Sequence, residues 1–250
     1  MQRNSATIST LIAACLSVPL FLSSNAQAAQ TNTDKSPWSG SAELGASIST
    51  GNSQTSSVNG KFSLKYEQGP WSHRFKINTL QSSEDGASTA NRTVADFSSR
   101  FAFDLRNYAF DSLRYSHDAF SGYTYQASVA AGLGRKLWVS DLGELSAEAG
   151  PGYRKSKTQD GTSENNLIGL ARANFKYNIS DSAQFEQSLT VLGGAANTEL
   201  ESETALSVNM TKTLALKVAY TVQHNTKVPV DTKKTDTFTS INLVYAFGKS

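Results

Sequence analysis

The sequence predicts an all-β chain that folds as a single antiparallel transmembrane β-barrel of about twelve strands, with short periplasmic turns and longer extracellular loops. Three observations support this fold class. Apolar and polar residues alternate with period two in successive runs. The connections between runs alternate between short turns and longer polar stretches, and aromatic residues gather at one set of strand ends. No segment keeps a convincing helical period, so we expect no helical domain.

The chain begins with a predicted signal peptide, residues 1–28. Arg3 precedes the apolar stretch 11–22, and small residues end at Ala28, where we expect cleavage. A polar and flexible segment, residues 29–37, follows. A membrane anchor is the alternative, but roughly 20 apolar residues are needed to span a bilayer and this stretch is shorter. The only cysteine lies inside the signal peptide, so we expect no thiol or disulfide in the mature chain.

The predicted barrel occupies residues 38–250, and strict alternation starts with its first strand. Apolar or small residues occupy the even positions, and mostly polar residues lie between them. This pattern is typical of a strand with one apolar and one polar face. The even positions are Trp38, Gly40, Ala42, Leu44, Ala46 and Ile48.

Further runs of the same kind follow to the end of the chain. Each lasts roughly ten residues, the length that a tilted strand needs to cross a bilayer. With the first run they make about twelve, an even number as in single-chain bacterial barrels. They are centred on Val58–Tyr66, Trp71–Ile77, Phe97–Phe103, Leu113–Tyr115, Tyr125–Leu137, Leu145–Tyr153, Leu167–Tyr177, Phe185–Val191, Leu200–Met210, Leu214–Val222 and Thr237–Phe247.

The connections between these runs give the barrel a predicted orientation, because outer-membrane barrels have short periplasmic turns and long outer loops. Short turns are predicted at Glu67–Pro70, Leu105–Tyr108, Val139–Gly143, Ser180–Ser182 and Thr211–Thr213. Longer polar loops are predicted at Ser82–Arg92, His117–Gly122, Lys155–Glu164, Gly193–Thr198 and Asn225–Lys234.

Aromatic residues cluster at the strand ends beside the short turns, where amphipathic rings would lie at the membrane interface. A soluble periplasmic β-sandwich that binds a ligand is the main alternative fold, since its strands also alternate. It gives no reason for this clustering. The candidate interface aromatics are Trp38, Tyr66, Trp71, Phe103, Trp138, Tyr177, Phe185, Tyr245 and Phe247.

Composition narrows the classes of function. Hydrophobic residues make up 38% of the chain and charged residues 18%, which is too apolar for a disordered protein and low in charge for a cytosolic enzyme. The formal net charge is +2. No strong field exists to attract nucleic acid, so we expect no nucleic-acid partner.

Two stretches of the chain have a distinctive sequence. The first is WSGSAELG at residues 38–45, with TGNS at 50–53, and the second is HDAFSGY at residues 117–123, followed by AGLGRKL at 131–137. Both resemble the family called domain of unknown function 481, whose members are often labelled salt-induced outer-membrane proteins. The resemblance runs from Trp38 to Phe247. It implies a barrel in the Gram-negative outer membrane and a link to salt or osmotic stress, and it supplies no catalytic residues.

The polar phase of the strands predicts which charged residues line the barrel lumen. Early in the chain most of these predicted lumen residues are basic, and acidic residues gather near position 200. These charges could line a narrow pore that passes small solutes, or they could pair and close a structural envelope barrel. The candidates are Glu43, Lys61, Lys65, Arg74, Lys76, Asp96, Arg100, Asp104, Arg114, Glu148, Arg172, Lys176, Glu186, Glu201, Glu203, Lys217 and Asp236.

An enzyme is the less favoured interpretation. A barrel lipid hydrolase or protease with a site at the rim would require His117 or His224 to have a Ser, Asp or Glu partner. His73 is expected at the periplasmic strand end, facing lipid or the interface. No spacing indicates a metal site, and the glycines at 132 and 134 fit close strand packing better than phosphate binding. We therefore expect no catalytic residues, no metal and no cofactor.

The predicted partners follow from location in the outer membrane. One is membrane lipid, including lipopolysaccharide, whose phosphates basic loops could approach through Lys155, Lys157, Lys233 and Lys234. Another is the barrel assembly machinery, because the final run, 240–247, resembles the C-terminal strand that this machinery recognises. The run departs from that pattern at Asn242, where Gly is common. A small solute is the third candidate.

Overall fold

Twelve antiparallel strands close into one barrel in the computed structural model, which describes residues 36–50, 55–84, 87–119, 121–228 and 233–248. The predicted signal peptide, most of the segment 29–37 and residues 51–54 lie outside these residues. In the described ranges no helix has the length and hydrophobicity that a membrane span requires. The strands are β1 (Trp38–Thr50), β2 (Thr55–Gln68), β3 (Trp71–Glu84), β4 (Ala87–Ala102), β5 (Asn107–Asp118), β6 (Tyr123–Ser140), β7 (Gly143–Thr158), β8 (Ser163–Asn178), β9 (Ala183–Gly194), β10 (Glu199–Asn209), β11 (Leu214–Asn225) and β12 (Thr235–Phe247).

Each strand pairs with its neighbours in sequence, and β1 pairs with β12 from Gly40 opposite Phe247 to Thr50 opposite Thr237. Closure leaves no strand with an unpaired edge, and hydrocarbon would offer such an edge no hydrogen-bond partner. The predicted fold class is therefore confirmed. The β-sandwich alternative is wrong, since a sandwich consists of two packed sheets and this is a single closed one.

The strands extend further than predicted at the end opposite the short turns. The polar stretch Ser82–Arg92 was predicted to be a loop, but β3 continues to Glu84 and β4 begins at Ala87. Lys155 and Lys157 likewise lie in β7 rather than in a loop. The longest connection is 226–234, between β11 and β12. Polar side chains do not end a strand, because the backbone keeps pairing wherever a neighbouring strand continues beside it.

The glycines of β6 allow close packing, as predicted. A Cβ at Gly132 would lie 2.1 Å from the carbonyl oxygen of Ala149, and a Cβ at Gly134 would lie 2.3 Å from the ring of Tyr108. Pro151 of β7 lies beside this narrow contact and has no N–H to donate to the ladder. The glycines therefore bring β6 and β7 together and leave room for Tyr108 on the inner face.

Candidate lumen site

Contacts between distant strands identify the inner face of the barrel. Lys61 of β2 contacts Glu203 of β10, and Arg114 of β5 contacts Glu201 of β10. These strands are not neighbours, so such contacts must cross the interior. Side chains alternate along the strands, and the pairing register then places every second residue on the same inner face, except where the register shifts at Ser82/Ser83, Tyr123/Tyr125 and Lys136/Trp138. Apolar side chains such as Leu44, which is 71% exposed, lie on the outer face.

An acidic stripe, defined as Glu199, Glu201 and Glu203, lies on the inner face of β10. Residues at i, i+2 and i+4 of a strand share one face, so the stripe extends about 13 Å along β10. Its carboxylates contact basic residues from the opposite wall. Arg114 lies 3.0 Å from Glu201 and 3.4 Å from Glu199, and Arg92 of β4 lies 3.6 Å from Glu201.

Glu203 of β10 contacts side chains from two other strands, β2 and β11. Its carboxylate accepts hydrogen bonds from Lys61 Nζ at 2.5 Å and from Lys217 Nζ of β11 at 3.1 Å, and Lys217 also lies 3.4 Å from Glu43 of β1. Each charge therefore has an opposite charge close by, which offsets the cost of removing it from bulk water. The acidic stripe with Lys61, Arg92, Arg114 and Lys217 forms the charged constriction of the lumen.

A second charged cluster lies nearer the short turns. The Glu148 side chain of β7 is fully buried and accepts hydrogen bonds from Arg172 Nη1 at 2.9 Å and from the Tyr108 hydroxyl at 3.1 Å. Arg100 Nη2 lies 2.5 Å from the same carboxylate, and the Arg100 guanidinium lies 5.0 Å from the centre of the Tyr108 ring. The cluster ties β4, β5, β7 and β8 together.

A cavity of about 870 Å³ occupies the lumen between the charged constriction and the short turns. We call it the vestibule. Residues from both chain ends of the barrel line it, including Pro37 and Gly248, and so does the Lys176–Glu186 ion pair at 2.6 Å. A smaller cavity of about 90 Å³ adjoins the other side of the constriction, where Arg92 and Arg114 line it.

Apolar side chains fill the lumen on the side of β5 to β9, which the alternation of the sequence did not predict. They form one buried cluster on the inner face, and the vestibule is lined mainly by the other strands. In β8 apolar residues occur on both the outer and the inner face, so the alternation of the sequence alone could not show which of them face the lumen. The cluster consists of Tyr108, Phe110, Ala130, Ile168, Leu170 and Leu192.

The pairing register places all but one of the predicted lumen residues on the inner face. The exception is Asp104, which lies in the turn 103–106. The prediction missed three residues that form ion pairs near the constriction, namely Arg92, Asp118 and Glu199. It also missed Glu67, which lines the vestibule and pairs with Lys65. Arg92 and Asp118 were placed in predicted loops, and Glu199 was passed over although its spacing from Glu201 puts it in the same phase.

Asp104 instead organises its turn. Its carboxylate accepts hydrogen bonds from the backbone N–H groups of Arg106 and Asn107, both at 2.7 Å, and from the Asn107 side chain at 2.8 Å. These bonds favour the charged form, and the one from the Asn107 side chain contributes most, so the pKa of Asp104 lies below its ordinary value.

The predicted interface aromatics form chains of ring contacts at the short-turn end. Trp38 and Tyr66 lie 4.7 Å apart between ring centres, and Trp138 and Tyr177 lie 6.5 Å apart. Phe103, in its turn, is 58% exposed. Rings in contact on the outer surface of a barrel are typical of an interfacial girdle, and the membrane role of these residues stays a prediction.

Each histidine contacts residues on its own or an adjacent strand, and His73 Nδ1 lies 2.9 Å from the Ser99 hydroxyl. His73 stacks on Trp71 with ring centres 5.7 Å apart, His117 Nδ1 lies 2.6 Å from the carbonyl oxygen of Thr124, and His224 Nδ1 lies 2.8 Å from the Thr235 hydroxyl. Within the described ranges no Asp or Glu contacts His117 or His224, and no grouping of side chains could hold a metal ion.

Comparison with known proteins places this geometry among outer-membrane barrels. Among solved structures, the NanC porin superposes with a TM-score of 0.58 at 10% identity, covering 82% of this chain and 98% of that one. The translocator domain of the autotransporter NalP from Neisseria meningitidis gives a TM-score of 0.50 at 15% identity, covering 85% and 89%. At such identities the likeness shows the fold alone.

Sequence comparison identifies the family. The chain is 29% identical over 213 residues to the uncharacterized protein YdiY of Escherichia coli strain K12, covering 85% of this chain and 84% of that protein. It also matches the family described as "Protein of unknown function, DUF481" over residues 42–247, which is nearly the whole barrel. This protein therefore belongs to the DUF481 family.

Proposed function

We propose that the protein is a passive outer-membrane channel for small hydrophilic solutes, with a conductance set by the charged constriction. The observation that carries this proposal is that the charged constriction consists of charged side chains. The vestibule ends at flexible charged side chains such as Lys61 and Glu203, which meet across the lumen at 2.5 Å. Side chains of this kind reorient far faster than a folded plug, and rings of charge select among solutes.

The outer surface supports a location in the membrane. Large apolar side chains such as Leu44, Leu133 and Leu167 lie on the outside at 65% exposure or more. We propose that export by a cleaved signal peptide and insertion by the barrel assembly machinery bring the chain to the outer membrane. Lys155 and Lys157, exposed on the outer face of β7 towards the end opposite the short turns, would then meet lipopolysaccharide phosphates.

Ion conductance of the chain 29–250, refolded and inserted into planar lipid bilayers, tests the proposal. The wild-type protein is expected to give small, steady conductance steps. The double variant Lys61→Ala/Glu203→Ala removes one contact across the lumen without a change in net charge, and we expect its steps to be larger because the constriction widens.

The matched control is Lys136→Ala/Glu144→Ala. This pair also joins opposite charges, at 2.8 Å, but it lies at the short-turn end, away from the constriction. Its conductance is expected to equal that of the wild type. A protein that inserts but stays silent in both the wild-type and the Lys61/Glu203 form would contradict the channel proposal.

A structural envelope barrel is the second candidate, the role that would bear on osmotic stress as the family label implies. The observation that favours it is the apolar cluster around Phe110 and Leu170, which fills one side of the lumen. Silence of every variant in bilayers, together with full insertion, is the result that this candidate predicts.

A further inference from the structure

Two basic side chains of the vestibule form no ion pair with any of the residues that the structure describes. Arg74 and Lys76 lie on the inner face of β3 and line the cavity. Within the described part of the chain neither makes an ion pair or a hydrogen bond, although the other charged residues of the vestibule wall mostly do. Lys76 is exposed, and its position on the inner face means that it is exposed to the cavity.

The register explains why Lys76 remains unpaired. Asp96 of β4 lies directly opposite Lys76, but its carboxylate is turned to Arg114, 3.2 Å away. On the other side of β3 the residue opposite Lys76 is Ser63, which carries no charge. The strand neighbours of Lys76 therefore leave it without an ion pair at contact distance.

Arg74 lies in an even more positive environment. The residue opposite it on β2 is Lys65, which pairs with Glu67 at 2.6 Å, and the residue opposite on β4 is the uncharged Ser98. Arg100 is its diagonal neighbour on β4, and the carboxylate that contacts Arg100, Glu148, is shared with Arg172. Like charges placed opposite on a sheet repel each other, so Lys65 does not offset the charge of Arg74, and the carboxylates nearby contact other basic residues.

We infer that Arg74 and Lys76 form a binding site for a small polyvalent oxyanion, with carboxylate or phosphate groups, that enters the vestibule from the short-turn end. The planar guanidinium of Arg74 can donate two parallel hydrogen bonds to such a group, and Lys76 adds a point charge beside it. The cavity of about 870 Å³ is within the usual size range of small-molecule pockets.

This inference goes beyond the proposed channel function, because an anion reaches the site without crossing the constriction. Isothermal titration of the refolded, detergent-solubilised chain at low salt tests it directly, with citrate and with inorganic pyrophosphate as two separate probes. Saturable binding of at least one probe is expected, and the probe that binds more tightly shows whether carboxylates or phosphates are preferred. The variant Arg74→Gln/Lys76→Gln is expected to weaken that binding by about tenfold or more.

The control is Lys212→Gln/Lys227→Gln, which removes the same net charge from two exposed residues outside the strands. Its binding is expected to match the wild type, and heat-dependent gel migration checks that each variant has folded. A second variant, Arg74→Lys, keeps the charge but loses the planar fork, so intermediate affinity is expected. Absence of saturable binding to the wild type, or equal binding by the Arg74/Lys76 variant, would overturn the inference. Binding without conductance would overturn the channel alone.

Discussion

At the seam between β1 and β12, a missing side chain makes room for a buried polar one. Gly45 lies opposite Asn242, whose side chain has no solvent exposure and accepts a hydrogen bond from Asn59 at 2.7 Å. Asn242 donates in turn to the Ser240 hydroxyl at 3.0 Å. The C-terminal strand has Asn where Gly is common, and the glycine that provides the space occurs on the partner strand instead. The two positions act together to close the barrel.

Replacing this glycine tests how tightly the seam is packed. In Gly45→Ala the new Cβ would lie 2.1 Å from Asn242 Oδ1 and 2.5 Å from the backbone oxygen of Ile241, so atoms must shift. We expect the free energy of unfolding to fall by about 1–3 kcal/mol, as for other overpacked sites. Urea denaturation in detergent measures this. Gly169→Ala is the control, because nothing lies within 4 Å of its Cβ position. Equal free energies of unfolding for the two variants would show that the contact between β1 and β12 rearranges at no cost and is not tightly packed.

At the scale of the strand, the period-two pattern predicted each of the twelve elements but not where it ends. The pattern reflects the two environments of the faces, lipid outside and lumen inside, and these end with the membrane. Pairing of the backbone does not end there. β7 continues past Tyr153 through Lys155 and Lys157, because β8 continues beside it. Strand ends therefore depend on the partner strand, which the local sequence does not encode.

The turn between β4 and β5 depends on a single carboxylate, which makes its stability dependent on pH. The pKa of Asp104 is lowered in the folded protein by the hydrogen bonds from Asn107 and Arg106. The stability that these bonds contribute is therefore present above the pKa of the unfolded chain and is lost as the pH falls through the lower, folded pKa. Asp104→Ala should unfold more readily than the wild type at neutral pH, and the two should converge in acid.

Unfolding midpoints of both proteins across the acid range measure this convergence. The control is Asp141→Ala, in the two-residue turn at the same end of the barrel, where no carboxylate hydrogen bond is found among the described residues. This variant is expected to differ little from the wild type at any pH. A gap between the Asp104 variant and the wild type that stays constant with pH would contradict the assigned role of the carboxylate.

At the scale of the whole barrel, the sequence indicated many of the charges that face inward but not which of them meet. The alternation of polar and apolar residues along β2 and β10 predicted that Lys61 and Glu203 face the lumen. Their contact depends on β2 and β10 facing each other after closure, and no local pattern carries this information. The same limit hid the unpaired state of Lys76, since Asp96 lies opposite it in the register yet contacts Arg114. Prediction of a lumen site therefore requires the closed topology.

The lipid-facing surface makes a final prediction that concerns the barrel as a whole. Leu113 lies near the middle of β5 on the outer face, 49% exposed, and should face the centre of the bilayer. Leu113→Lys should make folding into lipid vesicles less favourable by about 2–4 kcal/mol, the cost of a lysine near the midplane. Leu105→Lys makes the same substitution in a turn, at a residue 93% exposed, and should cost little. Equal stability of both variants in vesicles would mean that the outer face of β5 does not contact hydrocarbon.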